Sequence, residues 1–249
     1  MEVTLIAMTD AMYENEPVGA TESAEQVCNH AAKTCTREDA GDLVGQHNLL
    51  GEPCFIWEDK DLRPLGRVLA SGHESILEHA VYTFEVKGVS RALTHQLVRH
   101  RVASYSQQSQ RYVSMDGADY IRPESIDRCL DPATPDGCPM NIEYENTIRR
   151  CFETYRKMIE VGIPEEDARY VLPNACCTNI IVTMNARELL HFFSLRCCER
   201  AQWEIRMMAN RMLRICKEIS PKIFANAGPN CVMTGRCPEG ERSCGRIQS

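Results

Sequence analysis

Four short strand-like patterns lie far apart along this chain, and helical patterns of unequal length separate them. Apolar or alternating residues near 3–8, 80–87, 111–115 and 179–184 are typical of half-buried strands. A doubly wound fold would instead space its strands evenly, with one helix between each pair. The sequence therefore predicts an α+β fold with a mixed or antiparallel sheet flanked by helices, and not a Rossmann fold.

The helices are predicted from caps, from apolar spacings of three and four residues, and from the glycine or proline that ends them. They cover 23–35, 62–70, 90–99, 141–161, 185–195 and 201–219. Ser90 and Asn185 are the expected N-caps of two helices, because short polar side chains can accept free backbone N–H groups. Residues 42–60 and 129–139 are predicted to be loops, and no GxGxxG sequence stands at a strand–helix junction.

The charge of the chain argues against one broad class of protein. Its 249 residues contain 28 Lys and Arg against 35 Asp and Glu, a net charge of −7, so nucleic-acid binding through bulk positive charge is not expected. No apolar run approaches the roughly 20 residues needed to span a bilayer. The first residues, MEVTLIAMTD, lack the basic start and cleavage site of a secretory signal. We therefore expect a cytoplasmic protein without a membrane partner.

Fourteen cysteines is a high number, and their sequence context favours reduced thiols over disulfides. Disulfide frameworks belong mainly to short secreted chains. Many of these cysteines lie within apolar patterns, where a thiol packs as a small hydrophobic side chain. The neighbouring pairs Cys176–Cys177 and Cys197–Cys198 are predicted to be core residues, with the raised thiol pKa that apolar burial produces.

Residues 86–115 form a basic island in an acidic protein. The island contains five Lys or Arg residues and no Asp or Glu, whereas simple proportion from the whole chain gives about four acids. Its centre, RHRVASYSQQSQRY at 99–112, combines arginine with serine and glutamine. Guanidinium groups bind phosphate in a bidentate manner, and the polar side chains add directional hydrogen bonds. The island predicts a phosphorylated ligand with a planar heterocycle; the alternative is a solvated basic loop.

Three further segments group polar and charged residues. They are HESILEH (73–79), ARYVLP (168–173) and NARELLHFFSLR (185–196). In the last segment Arg187 and His191 are four residues apart on one helical face, and Arg196 lies at the helix end. No metal site is predicted, because the two histidines of HESILEH are six residues apart and do not form an i, i+4 pair.

These motifs resemble those of the flavin-dependent thymidylate synthase family. The resemblance rests on RHR followed by Ser109, on HES..EH, ARYVLP and NAR, and on LR..ERAQWEIR (195–206), all in the family's order. It runs from about His73 to Ile219, more than half the chain. It implies a homotetramer with FAD sites between subunits. The implied reaction makes dTMP from dUMP, with methylenetetrahydrofolate as carbon donor and NADPH as the reductant of the flavin.

The resemblance also implies roles for individual residues. Those that match FAD-binding positions are Ser75, Arg99, His100, Arg101, Gln107, Asn185, Arg187 and His191. Those that match dUMP-binding positions are Gln96, Arg99, Ser109, Arg111, Arg169 and Arg196. Arg196 matches the catalytic arginine held to favour ionisation at N3 of the uracil. His73 falls where the family has a residue close to flavin and folate.

One departure from the family concerns the flavin region. Many relatives have Asn-Glu where this chain has Ser106-Gln107, so a neutral amide replaces a carboxylate. A role that depends on negative charge is therefore not implied for Gln107, although its amide can still form hydrogen bonds. Ser109 is predicted to position a ligand rather than to act as a nucleophile, because its neighbours Gln108 and Gln110 cannot serve as bases.

Two other functions stay open on the sequence alone. A nucleotide- or nucleic-acid-binding module would use the basic island as a phosphate track and would hold no chromophore. A thiol- or metal-based sensor would use the cysteines and would hold stoichiometric zinc or iron.

Residues 1–227 are predicted to form a single domain, followed by a Cys/Gly-rich tail at 228–249. Cys231, Cys237 and Cys244 in the tail lack the C-x2–4-C spacing of common zinc sites. Reduced thiols packed against a neighbouring subunit are therefore favoured over metal or disulfide. Because no residue matched to the family's site lies beyond Arg196, truncation after Ala227 is expected to leave flavin bound.

Overall fold

The structure, a computed structural model, describes residues 1–10, 23–36, 62–127 and 140–247. It also places the backbone of four two-residue segments, 12–13, 16–17, 46–47 and 53–54. The predicted loop at 129–139 lies outside the described residues, as does most of the predicted loop at 42–60.

The described strands and helices agree in large part with the sequence patterns. The strands are β1 (Glu2–Met8), β2 (Met12–Tyr13), β3 (Glu16–Pro17), β4 (Gln46–His47), β5 (Pro53–Cys54), β6 (Val81–Ser90), β7 (Ala103–Gln107) and β8 (Cys177–Asn185). The α-helices are α1 (Ser23–Thr36), α2 (Arg63–Ala70), α3 (Arg91–Leu97), α4 (Glu124–Asp127), α5 (Met140–Glu160), α6 (Glu165–Ala168), α7 (Ala186–Arg196), α8 (Trp203–Ile219), α9 (Pro221–Phe224) and α10 (Asn230–Thr234). Short 3-10 helices cover Glu74–His79, Arg169–Val171 and Gly240–Arg242.

Four of the strands form one antiparallel sheet in the order β1-β6-β8-β7. Two small antiparallel pairs, β2 with β3 and β4 with β5, lie outside it. Every second side chain along β8 is buried, so one face of that strand packs on apolar side chains. The predicted α+β class is confirmed.

The strand predicted at 111–115 is wrong, because Arg111 and Tyr112 lie in a turn, Val113 in a bend, and the next two residues outside any strand. Oγ of Ser109 accepts the backbone N–H of Arg111 at 3.1 Å, a local bond that competes with an extended ladder. Tyr112 and Val113, which suggested a strand, are exposed. The strand of this region is β7, whose ASYSQ sequence alternates mostly small polar residues and so gives little apolar signal.

Both predicted N-caps are confirmed. At the start of α3, Oγ of Ser90 accepts the N–H of Leu93 at 3.0 Å. At the start of α7, Oδ1 of Asn185 accepts the N–H of Glu188 at 2.9 Å. Each cap residue is also the last residue of a strand, so each helix starts directly where its strand ends. This junction fixes the start of α7, which carries three of the predicted site residues.

By its internal contacts the chain divides into two compact units. The first unit consists of Met1–Glu2, Val86–Arg99 and Tyr105–Ile181. In its core, Met115 and Tyr155 pack with Ala168 and Cys176. The N–H of Met115 donates to the hydroxyl of Tyr155 at 3.1 Å, which gives this buried hydroxyl a partner.

The second unit consists of Val3–Glu85, His100–Ser104 and Val182–Ser249. The ring of Phe224 lies edge-on to those of Tyr82 and Phe193, with centroids 5.5 and 6.0 Å away. All three rings are fully buried. The hydroxyl of Tyr82 donates to Oγ of Ser220 at 2.8 Å, so burial leaves this polar atom hydrogen-bonded. Of the helices described, none is both long and apolar enough to cross a membrane.

The cysteine pairs are core residues only in part. Cys176 and Cys197 are buried, and burial raises the pKa of both thiols, that of Cys197 to about 12. Cys177 and Cys198 are half-buried. The core prediction is therefore wrong for the second member of each pair, because adjacent residues on a strand or in a turn face different directions.

Candidate active site

A cavity of about 240 Å³ lies in the first unit, and none of the described residues that line it is acidic. Its polar lining comes from Arg91, His95, Gln110, Arg169 and Asn174. Arg91 and His95 lie four residues apart on α3 and so share one helical face. Two guanidinium groups and an imidazole therefore border one space.

We refer to this space as the acid-free cavity, after its described lining. Neither Arg91 nor Arg169 forms an ion pair with a described residue. The Nε–H of Arg169 donates to the backbone carbonyl of Glu166 at 2.9 Å. Burial lowers the pKa of Arg91, and the positive charge of Arg169 contributes to the same shift. Two cations without carboxylate partners in a partly buried space favour an anionic ligand.

Arg111, which was also predicted to bind dUMP, does not line this cavity. Its Nε and Nη2 donate to Oε2 of Glu166 at 3.0 and 2.9 Å, and this hydrogen bond raises the pKa of Arg111. Both side chains are 49% exposed. Such an exposed ion pair is weak. A phosphate can therefore replace the carboxylate with only a small loss of free energy.

The other predicted residues of the first unit also lie outside the acid-free cavity. Nε2 of Gln107 donates to the hydroxyls of Thr94 and Thr178 at 3.1 and 3.3 Å, so this amide links β7 to α3 and β8. Gln96 is half-buried on α3, and Arg99 is exposed just beyond that helix. Oγ of Ser109 accepts the backbone N–H of Arg111, the local bond described above.

A larger cavity, of about 460 Å³, lies in the second unit. We refer to it as the Arg187 cavity. Three glutamates line it, Glu74 and Glu78 from the first 3-10 helix and Glu188 from α7. Nη1 of Arg187 donates to Oε1 of Glu78 at 2.6 Å, and its Nε lies 3.7 Å from Oε2 of Glu74. The only described arginine in this wall is therefore already paired with carboxylates.

Helix α10 supplies another part of the same wall, through Asn230, Met233 and Thr234. These residues are spaced by three and four positions, so they lie on one face of the helix. Helix α10 belongs to the segment predicted to be a tail. The boundary predicted at residue 227 therefore divides the residues that line the Arg187 cavity.

A chain of hydrogen bonds joins Glu188, His100 and Arg196. Nδ1 of His100 lies 3.0 Å from Oε1 of Glu188, and the Nε–H of Arg196 donates to Nε2 of His100 at 3.1 Å. Since an arginine N–H can only donate, Nε2 is the acceptor and Nδ1 carries the proton that is donated to Glu188. His100 is therefore held as one neutral tautomer.

The electrostatics of His100 agree with this assignment. His100 is 4% exposed, and burial lowers its pKa. The hydrogen bond to Glu188 opposes that shift, whereas the charge of Arg196 adds to it. The net direction is downward, which favours the neutral imidazole.

Arg196, at the end of α7, is half-buried and has no carboxylate partner among the described residues. Burial lowers its pKa, but a guanidinium stays protonated at any working pH. Only its Nε–H is engaged in a described hydrogen bond, to His100, so the terminal N–H groups can meet a ligand.

Several predicted residues lie outside the Arg187 cavity. His73 and Ser75 are exposed at the start of the first 3-10 helix, and Arg101 is exposed before β7. The predicted FAD residues that the cavity brings together are Asn185, Arg187 and His191.

The sequence analysis did not include Arg91, His95 or Glu188 among the candidate site residues. Arg91 and His95 did carry a signal, because they lie four residues apart within the basic island and on a predicted helix. Glu188 carried none, since its partner His100 is 88 positions away in the chain and only the fold brings the two together.

Comparison with known proteins identifies one family that the chain resembles. The profile of the Thy1 family, described as "Thymidylate synthase complementing protein", matches residues 18–222. A flavin-dependent thymidylate synthase of Geobacter sulfurreducens is 54% identical over 184 residues, which cover 73% of this chain and 75% of that one. Enzymes of the same name from Clostridium tetani and Nitratidesulfovibrio vulgaris are 45% and 47% identical. Their alignments cover 91% and 93% of this chain, and 90% and 91% of theirs.

Proposed function

The chain belongs to the flavin-dependent thymidylate synthase family, and on that premise we propose that it assigns phosphate binding and flavin binding to different cavities. The reaction makes dTMP from dUMP with methylenetetrahydrofolate and a flavin reduced by NADPH. The acid-free cavity binds the dUMP phosphate, and the Arg187 cavity binds part of FAD.

The acid-free cavity suits a phosphate because its cations are not neutralised by its own wall. Arg169 is the residue that both the family resemblance and this cavity support. Arg91 adds a second guanidinium and His95 a ring N–H donor. Together they can orient a phosphate dianion through several charge-assisted hydrogen bonds. Gln96, Arg99, Ser109 and Arg111 complete the proposed dUMP set from outside this cavity.

The Arg187 cavity suits the uncharged end of FAD rather than its pyrophosphate. Three carboxylates beside one paired arginine would repel a pyrophosphate, but they can accept hydrogen bonds from ring N–H groups and ribityl hydroxyls. The volume of about 460 Å³ falls within the usual range for a cofactor pocket. The residues therefore fit the uncharged end of FAD. When bound, reduced FAD supplies the hydride.

Asn185, Arg187 and His191 hold that end of FAD in this proposal. The remaining matched positions, Ser75, Arg99, Arg101 and Gln107, contribute the other FAD contacts. His100, also matched to an FAD position, has both ring nitrogens engaged and acts through Arg196 in this proposal. His73, exposed at the start of the first 3-10 helix, is the proposed contact to folate.

Arg196 is the proposed catalytic residue because its cation is fixed before the substrate arrives. His100 accepts its Nε–H, and Glu188 holds the tautomer of His100 that can do so. The terminal N–H groups are then aimed as a rigid fork at the negative charge that develops on the uracil. A donor that is already oriented needs no reorganisation during the reaction.

The oligomeric state and location follow the family in this proposal. A cytoplasmic homotetramer with sites between subunits is consistent with the large exposed apolar side chains Val102, Tyr112, Val161 and Tyr170, which a subunit interface could cover. Residues 1–227 are the proposed catalytic domain, extended by α10.

The observation that carries this proposal is that none of the described residues lining the first-unit cavity is acidic. The simplest experiment is to purify the protein and record its absorbance, which shows a flavin spectrum if FAD is bound. Formation of dTMP is then measured with dUMP, methylenetetrahydrofolate and NADPH, each omitted in turn. A colourless protein that forms no dTMP when FAD is added contradicts the proposal.

A further inference from the structure

Glu188 contacts two different parts of the second unit. It lines the Arg187 cavity, and its Oε1 lies 3.0 Å from Nδ1 of His100. His100 is buried and is not among the described residues that line the cavity. Glu188 therefore lies between the proposed flavin cavity and the histidine that accepts the Nε–H of Arg196.

Helix α7 supplies most of the surroundings of His100. Glu188 and His191 are three residues apart, share one face of α7, and both line the Arg187 cavity. The ring of His191 lies edge-on to that of His100, with centroids 5.8 Å apart, and the ring of Phe192 lies edge-on at 4.9 Å. One helix therefore carries a wall of the cavity, the partners of His100 and Arg196 itself.

The second carboxylate oxygen of Glu188 is open to the cavity. A carboxylate has two oxygens, and each can accept hydrogen bonds. Oε1 is used by His100, whereas Oε2 has no donor among the described residues. Oε2 is also not one of the described, fully buried polar atoms that lack a partner. A ligand in the Arg187 cavity can therefore reach it.

We propose that Oε2 of Glu188 accepts a hydrogen bond from the flavin ring or ribityl chain bound in the Arg187 cavity, so that flavin binding itself helps to hold Arg196 in place. Glu188 is not one of the residues matched to FAD positions of the family. The inference rests on the proposed function, because it needs the uncharged end of FAD in this cavity.

The coupling acts through two protonation states of His100. The neutral ring accepts the Nε–H of Arg196, whereas a protonated ring has two N–H donors and cannot. Of the described titratable groups, those that face His100 are Glu188, His191 and Arg196, all on α7. Burial lowers the pKa of His100, and the hydrogen bond to Glu188 opposes that shift.

A bound flavin favours the neutral ring. A donor on Oε2 draws on the negative charge of Glu188 that would otherwise stabilise protonated His100, and a filled cavity removes water from the same region. Both effects lower the pKa of His100, and they keep its Nε2 free to accept from Arg196. Because coupling between two sites is reciprocal, FAD must also bind more tightly to the protein with neutral His100.

The test is the pKa of His100, measured by NMR on the full-length protein with 15N-labelled histidine rings, without FAD and at saturating FAD. His100→Gln assigns the signal. We expect FAD to lower this pKa by about 0.7 unit. The same linkage makes FAD bind about fivefold more weakly below both pKa values than at pH 7.5, the lower end of the range for coupled sites.

Two controls separate Glu188 from the rest of the cavity. Glu188→Gln is expected to lose the FAD-dependent shift, whereas Glu78→Gln, which changes a carboxylate of the same wall, is expected to keep it. ADP has the pyrophosphate but no flavin ring and is expected to leave the pKa of His100 unchanged. The pH dependence of FAD affinity in the unmodified chain carries the test if Glu188→Gln does not fold.

Three results overturn the proposal: an unchanged pKa of His100 in the unmodified chain saturated with FAD, an equal shift in Glu188→Gln, or an equal shift with ADP. Flavin fluorescence on the same samples reports FAD binding separately. A protein that binds no FAD contradicts the proposed function and this proposal with it, whereas a protein that binds FAD without a shift contradicts only the role of Glu188.

Discussion

The acid-free cavity and the Arg187 cavity have described walls of opposite charge. In the first unit, Arg91 and Arg169 border a space with no acidic residue among the described lining. Among the described residues that line the Arg187 cavity, three glutamates outnumber one arginine, and two of them are paired with it. Both cavities contain arginine, so the presence of arginine alone does not tell what each cavity binds.

The difference shows that the partners of an arginine decide its role. Arg187 already lies against two carboxylates and adds little net attraction for an anion. Arg169 and Arg91 have no such partner among the described residues. Burial is the main cause of the lowered pKa of Arg91, and the positive charge of Arg169 adds to the same shift. A phosphate offsets these positive charges in the acid-free cavity, whereas it would add to the negative charge of the Arg187 cavity.

The largest effect is expected from Arg196→Lys. Lysine keeps the charge but lacks both the planar fork and the Nε–H that donates to His100. Loss of a fixed donor at a developing negative charge typically reduces turnover by about a hundredfold or more, and we expect kcat to fall by about that factor with flavin content unchanged. Single-turnover formation of dTMP measures it. A variant within twofold of the unmodified enzyme removes Arg196 from the catalytic role.

The second-largest effect tests whether the two cavities bind different ligands. Arg169→Gln is expected to raise KM for dUMP roughly 10- to 100-fold, the usual range for loss of a charged hydrogen bond, and Arg91→Gln to raise it in the same direction. Flavin content should not change in either variant. Steady-state kinetics at two salt concentrations provide the measurement. Equal loss of flavin in both variants would mean that the two cavities do not bind different ligands.

Arg187→Gln is the reciprocal variant. It removes the cation and leaves Glu74 and Glu78 without their partner, so the cavity becomes more negative. We expect FAD affinity to fall about tenfold, within the range for one charged hydrogen bond, while KM for dUMP at saturating FAD stays unchanged. Fluorescence titration with FAD gives the first value. A rise in KM for dUMP as large as that of Arg169→Gln would contradict the assignment.

Glu188→Gln tests the hydrogen bonds behind Arg196. The amide oxygen still accepts from Nδ1 of His100, but the bond is no longer charge-assisted, so we expect kcat to fall about fivefold, the equivalent of about 1 kcal/mol. The pKa of His100 lies below 6.5 in the folded protein. Any stability or turnover that needs neutral His100 is therefore fully present above pH 6.5 and is lost as the pH falls through the lower pKa of His100 in the folded state.

The pH profile distinguishes this positioning role from a merely structural one. Glu188 raises the pKa of His100 against the effect of burial. Its neutral replacement should therefore move the acid limb of the kcat profile to lower pH. Glu78→Gln, which changes a carboxylate of the same cavity that does not contact His100, is the control and should leave the acid limb in place. An acid limb that does not move in Glu188→Gln would falsify the role given to His100.

Much of the fold could be predicted from the sequence, because caps and apolar periods act locally. As cap residues, Ser90 and Asn185 predicted the starts of α3 and α7, and both helices start where they were expected. Strand β7 was missed because its small polar residues give little apolar signal, and an exposed Tyr112 gave a false one. Side-chain partners were harder still. Glu188 meets His100 only through tertiary structure, and nothing in the sequence indicates that Arg111 is paired with Glu166 whereas Arg91 is not.

The smallest expected effect concerns the boundary at residue 227. The sequence alone predicts that truncation after Ala227 leaves flavin bound, since every matched residue precedes it. In the structure, α10 lies beyond that boundary and lines the Arg187 cavity, so its removal opens one wall to water. We expect FAD to bind about three- to fivefold more weakly, the equivalent of losing contacts worth about 1 kcal/mol, with Arg187 still paired to its glutamates. Truncation after Thr234 is the matched control, because it keeps α10 and removes only the later tail. Equal FAD affinity in both truncated chains would restore the boundary at 227, and complete loss of flavin from a folded chain ending at Ala227 would place α10 among the main FAD contacts.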